Sequence, residues 1–313
     1  MAAVTCLGVL VADLVARPVT AYPERGKLVQ VDEIRLATGG GAANTAVVLQ
    51  KLGVPTAIIG RVGADDLGDF VMASLAGKGV DVSGIHRDDE KSTGSSIVLT
   101  APDGERSFIS KLGANAAVCA EDIDWPQLGN SQILHIGYAM VLPSFDGAPA
   151  AAVLQKTKEM GITTSVDTGW DPSGRWWESL APYLPYTDIF LPSLAEAEML
   201  TGKQDYREMA RVFLEAGAGV VALKLGEQGS YICTRATEFL VPPFNVACVD
   251  ATGAGDAFAA GFLAGWLKGL SLEETARLAN ATGALATTAV GATAGVTGWE
   301  QVQALARNSK MTN

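Results

Sequence analysis

An α/β fold with a mostly parallel sheet covered by helices on both faces, and a small antiparallel sheet beside it, is what this 313-residue sequence predicts. Three observations carry that prediction. Short apolar runs alternate with helical stretches along the chain, the pattern of strands joined by crossovers. Hydrophobic residues make up 48% and charged residues 18%, enough for a sizeable core and too apolar for disorder. Two separated segments, about 14–37 and 93–110, partly alternate apolar with polar residues, as half-exposed strands do. No internal repeat or linker-like composition interrupts the chain, so one domain over 1–313 is expected, with those two segments forming a lid.

The bulk properties exclude several classes. Net charge is −11 and no Lys/Arg run is present, so nucleic acid and anionic membrane surfaces are not expected partners. Cys6, Cys119, Cys233 and Cys248 are widely spaced and, with His86 and His135, form no zinc-like cluster; buried, reduced thiols are expected. The N-terminus has no basic leader pattern and the apolar run 4–11 is too short to cross a bilayer, so a cytoplasmic location is expected.

In chain order, residues 4–11 read as a buried strand ending at Asp13, an acid at the edge where open parallel sheets bind ligands. An Asp that merely turns the chain is the plain alternative. Residues 28–36 read as the first lid strand. Next, Thr38-Gly39-Gly40-Gly41-Ala42-Ala43-Asn44 leads into a helix over 45–52 that stops at Gly53. Consecutive glycines admit a ligand close to the backbone, and Asn44 offers donor and acceptor. A flexible turn capped by Asn44 fits the same residues. The spacing is not that of a dinucleotide fingerprint. Residues 56–60 read as a strand and 66–78 as a helix stopped by Gly79. The second lid segment is a hairpin, strands 96–100 and 106–109 joined by Pro102-Asp103-Gly104.

The alternation then continues. Strands are expected at 133–136, 163–166, 188–191 and 220–225, with helices near 150–160, where Pro149 suits the first turn, and 207–216. Asp167, Ser193, Glu196, Gly226 and Gly229 follow strand ends. Each alone reads as turn chemistry; together they would line one edge of the sheet. Ser271-Leu272-Glu273-Glu274 is a capping box for a helix through Asn280 towards Val290. Residues 291–295 read as a loop that returns to the site, and 299–307 as a last surface helix.

The densest chemistry is at Asp250-Ala251-Thr252-Gly253-Ala254-Gly255-Asp256, followed at once by the apolar segment 257–263. Three small residues at a helix start leave backbone N–H groups pointing outward, and the helix end adds partial positive charge. That is a pocket for an anion, most often phosphate. Asp256 sets a base beside it, the pairing phosphoryl transfer requires.

Two stretches resemble the signatures of one family. Gly39 to Asn44, with Gly53 and Gly63, is similar to the N-terminal signature of the ribokinase-like (PfkB) carbohydrate kinases, and Asp250 to Asp256 resembles their C-terminal D-T-x-G-A-G-D. The resemblance implies a ribokinase-like three-layer α/β/α sandwich with a β-sheet lid, and transfer of the ATP γ-phosphoryl group to a hydroxymethyl group of a sugar, sugar acid or nucleoside. On that basis Asp256 matches the catalytic base, and Gly253, Ala254 and Gly255 the anion hole. Asp13, Gly40, Gly41 and Asn44 match positions that grip sugar hydroxyls. Ser193, Lys224, Gly226, Gly229 and Asn280 match the nucleotide side. Glu196 matches the acid that organises Mg²⁺ through water, and Asp250, Thr252 and backbone near Gly291 match a K⁺ loop. A homodimer through the lid is also frequent in the family.

The sequence departs from the family pattern in places. The N-x-x-E motif stands as Ser193-Leu194-Ala195-Glu196, with a shorter side chain at its head. Ala251 replaces Thr, and Lys224 stands where many members carry Thr, either reaching a phosphate or solvated. Val11, where ribokinase itself carries Asn, argues against ribokinase as such.

No cluster of Arg and Lys is evident at the sugar-facing positions, which favours a neutral sugar over a sugar phosphate. Arg106 is read as part of the lid structure, with a reach into the site as the alternative. The run 167–175 loosely resembles a stretch of 2-keto-3-deoxygluconate kinases, which would bring Arg175 to a carboxylate. A sugar- or nucleotide-binding protein without catalysis on the same fold is the competing reading; a nicotinamide-dependent enzyme is disfavoured by the glycine spacing.

Overall fold

The computed structural model describes residues 1–102 and 105–308. Thirteen strands and ten helices are formed by the described residues. The first half holds β1 (Val4–Gly8), β2 (Val11–Arg17), β3 (Glu33–Gly39), α1 (Gly41–Lys51), β4 (Thr56–Gly63), α2 (Asp66–Ala76), β5 (Asp81–Asp88), β6 (Ser95–Thr100), β7 (Arg106–Lys111), α3 (Trp125–Leu128) and β8 (Ile133–Ala139). Then come α4 (Ala148–Glu159), β9 (Thr163–Thr168), α5 (Trp177–Leu180), β10 (Ile189–Phe190), α6 (Leu194–Thr201), α7 (Tyr206–Glu215), β11 (Val220–Lys224), β12 (Ser230–Thr234) and β13 (Glu238–Val241). The chain ends with α8 (Ala254–Leu267), α9 (Leu272–Ala286) and α10 (Trp299–Asn308).

Nine strands form the main sheet in the order β13-β12-β11-β10-β9-β8-β1-β4-β5. Pairing is parallel from β5 through β11 and antiparallel across β11/β12 and β12/β13. Side chains alternate across each strand, so the inner strands feed two cores. Cys6 on β1 and Ala222 on β11 face one, with apolar residues of α1, α8 and α9. Leu7 and Leu223 face the other, with Leu154 of α4 and Phe213 of α7. Two-sided burial explains why these strands read as continuous apolar runs.

The second sheet has four strands in the order β3-β2-β6-β7. It differs from the sequence expectation at both ends. The first buried run breaks after Gly8, and Val11–Arg17 belongs to the second sheet, so Asp13 sits on a lid strand and not at the end of β1. Residues 28–32 are not strand; β3 starts at Glu33. The Asn115 side chain fixes the junction, accepting from Leu10 N at 2.8 Å and donating to Leu10 O at 2.8 Å. The hairpin strands β6 and β7 form as expected, and the tip at Asp103-Gly104 lies outside the described residues.

Two further expectations need correction. The helix α1 begins at Gly41 with Gly40 at its N-cap, so Asn44 lies inside the first turn and caps nothing. Of the cysteines, Cys6 and Cys233 are buried, whereas Cys248 is exposed; all four are free thiols. The strands β5 and β13 have no clear counterpart in the apolar pattern, because both are edge strands with much exposed surface; β12, inner and buried, has no counterpart among the expected strands either. Among the described residues, no helix is long and apolar enough to cross a membrane.

Candidate active site

The C-terminal edge of the main sheet gathers most of the chemistry. Asp256 lies in the first turn of α8, whose N-cap is Gly253 with φ 72 and no side-chain cap. A Cβ at Gly253 would also run into the Ala292 backbone, so the turn needs glycine twice over. Asp256 is 2% exposed. Asn44 donates to its Oδ2 at 2.8 Å, and the Tyr138 hydroxyl lies 3.5 Å from the same oxygen. Burial pushes the Asp256 pKa up to about 6, against the opposing pull of the Asn44 amide and the Lys224 ammonium.

Three more strand ends complete the cluster. Lys224 ends β11 and donates to Asp167 Oδ1 on β9 at 2.6 Å. Burial alone would lower the Lys224 pKa, but Asp167, Glu196 and Asp256 outweigh it and hold the ammonium charged. Burial raises Asp167 in turn, with Lys224 pulling the other way. Lys224 is therefore a largely buried, paired cation and not a solvated one. A Cβ at Gly255 would be 3.4 Å from Lys224 Nζ, so this amine stands at the glycine turn.

Ser193 and Glu196 form the capping box of α6. The Ser193 hydroxyl and backbone N–H both donate to Glu196 Oε2, at 2.6 and 3.0 Å, and Thr168 donates to the same oxygen at 2.6 Å. Ser193 is occupied in starting a helix. Among the described residues no group of three or more His, Cys, Asp or Glu side chains is placed to hold a metal by itself. The carboxylates of Glu196, Asp167 and Asp256 around Lys224 suit a hard cation that arrives with phosphate and keeps several waters.

Asp250 staples two loops. Its Oδ1 accepts from Thr252 N at 2.9 Å and from the Thr252 hydroxyl, and its Oδ2 accepts from Gly291 N at 2.7 Å. These bonds hold its pKa below the usual range despite burial. Arg106 of β7 reaches Asp250 at 3.5 Å, so it is not confined to the lid. Asp13, Arg106, Asp250 and Thr252 share a cavity of about 500 Å³ between lid and body. Burial raises the Asp13 pKa to about 6. Arg17 and Arg35 line the same cavity, contrary to the expectation that no cationic cluster faces the sugar side.

The glycines on the nucleotide side differ in kind. Gly226, φ 61, has open space where a Cβ would stand, whereas Gly229, φ 89, packs against the Val241 carbonyl. Asn280 donates to Val241 O at 2.9 Å and Pro242 O at 3.1 Å, so Gly229 and Asn280 meet at the end of β13. Gly40 and Gly41 are also tightly enclosed, by the Val9 carbonyl and the Tyr138 ring respectively.

Two positions depart from the sequence expectation. Arg175 is exposed, bonded to Ser173 Oγ at 3.2 Å, and lines no part of the cavity. Tyr138 stands in no sequence motif; only its place just after the strand expected at 133–136 points to it. It sits at the end of β8 with φ 65, a conformation uncommon for a non-glycine residue. The strand-end argument that singles out Asp167 applies to it equally.

Residues 1–298 match the family model for pfkB family carbohydrate kinases. The chain is 34% identical over 268 residues to an ATP-dependent ribose-1-phosphate kinase of Halopiger xanaduensis, covering 85% of this chain and 86% of that one. It is 30% identical over 278 residues to the 2-dehydro-3-deoxygluconokinase of Bacillus subtilis, covering 86% of each. A ribokinase II from E. coli, solved with ATP and Mg²⁺, superposes with a TM-score of 0.84 at 27% identity, over 97% of this chain and 99% of that one. The parallel sheet with its separate four-stranded lid, the turn at Gly253 and these likenesses agree: the chain belongs to the pfkB family of carbohydrate kinases.

Proposed function

We propose that this kinase moves the γ-phosphoryl group of ATP to a hydroxymethyl group of a sugar, sugar acid or nucleoside, with Asp256 as general base. One observation carries the reading. A nearly sealed carboxylate stands in the first turn of a 14-residue helix whose N-cap is an uncapped glycine turn, with a charged lysine beside it. The helix start offers backbone donors to a phosphoryl group, and the carboxylate takes the proton of the attacking hydroxyl.

The remaining residues divide the work. Asn44 and Tyr138 orient the Asp256 carboxylate through its Oδ2. Gly253, Ala254 and Gly255 supply N–H groups to charge that develops on the transferring phosphoryl oxygens, where fixed donors act most strongly. Lys224 adds positive charge at the same turn. Asp13, Gly40, Gly41 and Asn44 face the acceptor; Gly226, Gly229 and Asn280 shape the nucleotide end. Glu196, fixed by Ser193 and Thr168, would help hold Mg²⁺ through water. Bound there, Mg²⁺ neutralises phosphate charge and aligns the reacting groups. The relatives named above act, by their names, on a sugar phosphate and on a sugar acid.

Three further points belong to the same reading. The Asp250 loop with Thr252 and backbone at Gly291 binds K⁺, so activity should be higher in K⁺ than in Na⁺. The chain works as one domain, in the cytoplasm where ATP is found. The outer face of the lid pairs with a second copy, because Leu14, Leu36, Ile97 and Ile109 share that face and are each exposed.

A coupled ADP-release assay over ketoses, aldoses, sugar acids, sugar phosphates and nucleosides tests the reading. Acceptor-dependent ADP release is expected with at least one class. Acceptor binding without turnover would instead leave a binding protein on a kinase fold.

A further inference from the structure

The cavity under the lid holds three guanidinium groups, and they are not equivalent. Arg17 pairs with Glu33 at 2.5 Å. Arg106 is 3.5 Å from Asp250, whose carboxylate already accepts from Thr252 and Gly291. The Arg35 guanidinium has no hydrogen bond or ion pair among the described residues, and its Nε is buried without a partner. Of the lining acids, Glu33 and Asp250 are engaged and Asp32 is exposed. Asp13 lies on β2, across β3 from the exposed lid edge, and pairs in register with Ala37 and not with Arg35.

Two of the arginines converge. Arg35 Nη2 is 3.1 Å from the position a Cβ would take on Gly291, and Gly291 N donates to the Asp250 carboxylate that Arg106 approaches. A buried guanidinium donor left unpaired is costly, and a native site retains one where a ligand completes it. Its planar fork fits the paired oxygens of a carboxylate or phosphate better than a single hydroxyl. The cavity, about 500 Å³, has room for a small sugar bearing such a group.

The geometry points to an acceptor that carries an anionic group, carboxylate or phosphate, bound by Arg35 with Arg106 at the Asp250–Gly291 staple. This rests on the kinase reading and narrows its substrate class. The anion lies at the lid end of the acceptor, away from the hydroxyl whose proton Asp256 takes.

The test titrates the enzyme, without nucleotide, with a free sugar, the matching sugar acid and the matching sugar phosphate, for pentose and hexose series, and in separate assays with ATP and Mg²⁺ measures ADP release with each. At least one charged sugar is expected to bind about tenfold or more tighter than its uncharged parent, and which arm does so identifies the anion. Arg35→Met should erase that preference, weakening the charged sugar about 10- to 100-fold with the loss concentrated in KM rather than kcat. Arg35→Lys should restore part of it, as charge without the fork. Because Arg35 holds no protein partner, both variants should melt near the parent temperature. Equal or tighter binding of the uncharged sugars, or a preference that survives Arg35→Met, overturns the inference. Charged sugars that bind through Arg35 without ADP release would uphold it while removing the kinase reading.

Discussion

At Asp256 the protonation state follows from the neighbours. Burial raises the pKa to about 6, and a general base must be ionised to act. Activity should therefore rise with pH through about 6 and flatten above it. The Asn44 amide favours the ionised form, so Asn44→Ala should move the acid limb of the kcat profile to higher pH. A limb that stays in place would separate Asn44 from Asp256 in the working enzyme. Ser193 has a different duty. The serine that departs from the family's N-x-x-E serves as a helix cap, a role visible in its spacing to Glu196. Ser193→Ala should cost about 1 kcal/mol of stability, read by urea denaturation. Asp256 and its glycines are legible in the sequence because their chemistry is local there. Tyr138, and the pairing of Lys224 with Asp167, are not, because each depends on strands brought together from distant segments.

At the scale of elements, glycines separate into those that the fold demands and those that only the backbone angle favours. Gly40 has φ 98 and its missing Cβ faces the Val9 carbonyl, whereas Gly226 has φ 61 with open space beside it. Gly40→Ala should destabilise by about 2 kcal/mol or more, combining left-handed strain with a clash that backbone cannot relieve. Gly226→Ala should cost about 1 kcal/mol, the strain alone. Equal losses in thermal or urea unfolding would contradict this division. Long periodic elements, α4, α7 and α9, are readable to within a few residues. The start of α1 is not, since Gly40 and Gly41 resemble a loop until the Val9 carbonyl and the Tyr138 ring are seen to enclose them. The break between β1 and β2 is equally hidden. The apolar run continues through it, and the switch of sheets is enforced by Asn115, about a hundred residues away in sequence, which holds both polar groups of Leu10.

Across the whole molecule, the lid has two faces of different character. Val15, Arg35, Val98 and Arg106 line the cavity, while the residues between them, Leu14, Leu36, Ile97 and Ile109, point outward in register. An apolar patch of this kind on a charged surface favours self-association. Ile97→Lys should shift the proposed dimer to monomer in size-exclusion chromatography, and a wild-type chain that elutes as a monomer at high concentration would remove the dimer. The fold class is legible because alternation and two-sided burial leave a strong pattern. The cationic lining of the cavity is not, because Arg17, Arg35 and Arg106 come from three strands whose pairing places them on one face. The central claim, that the molecule is built to bring an acceptor hydroxyl and a phosphoryl group together at Asp256, is tested most directly by Asp256→Asn. With the best acceptor and saturating ATP and Mg²⁺, kcat should fall about 10²- to 10⁴-fold while nucleotide and acceptor binding change little. A variant that keeps near-normal kcat would contradict it.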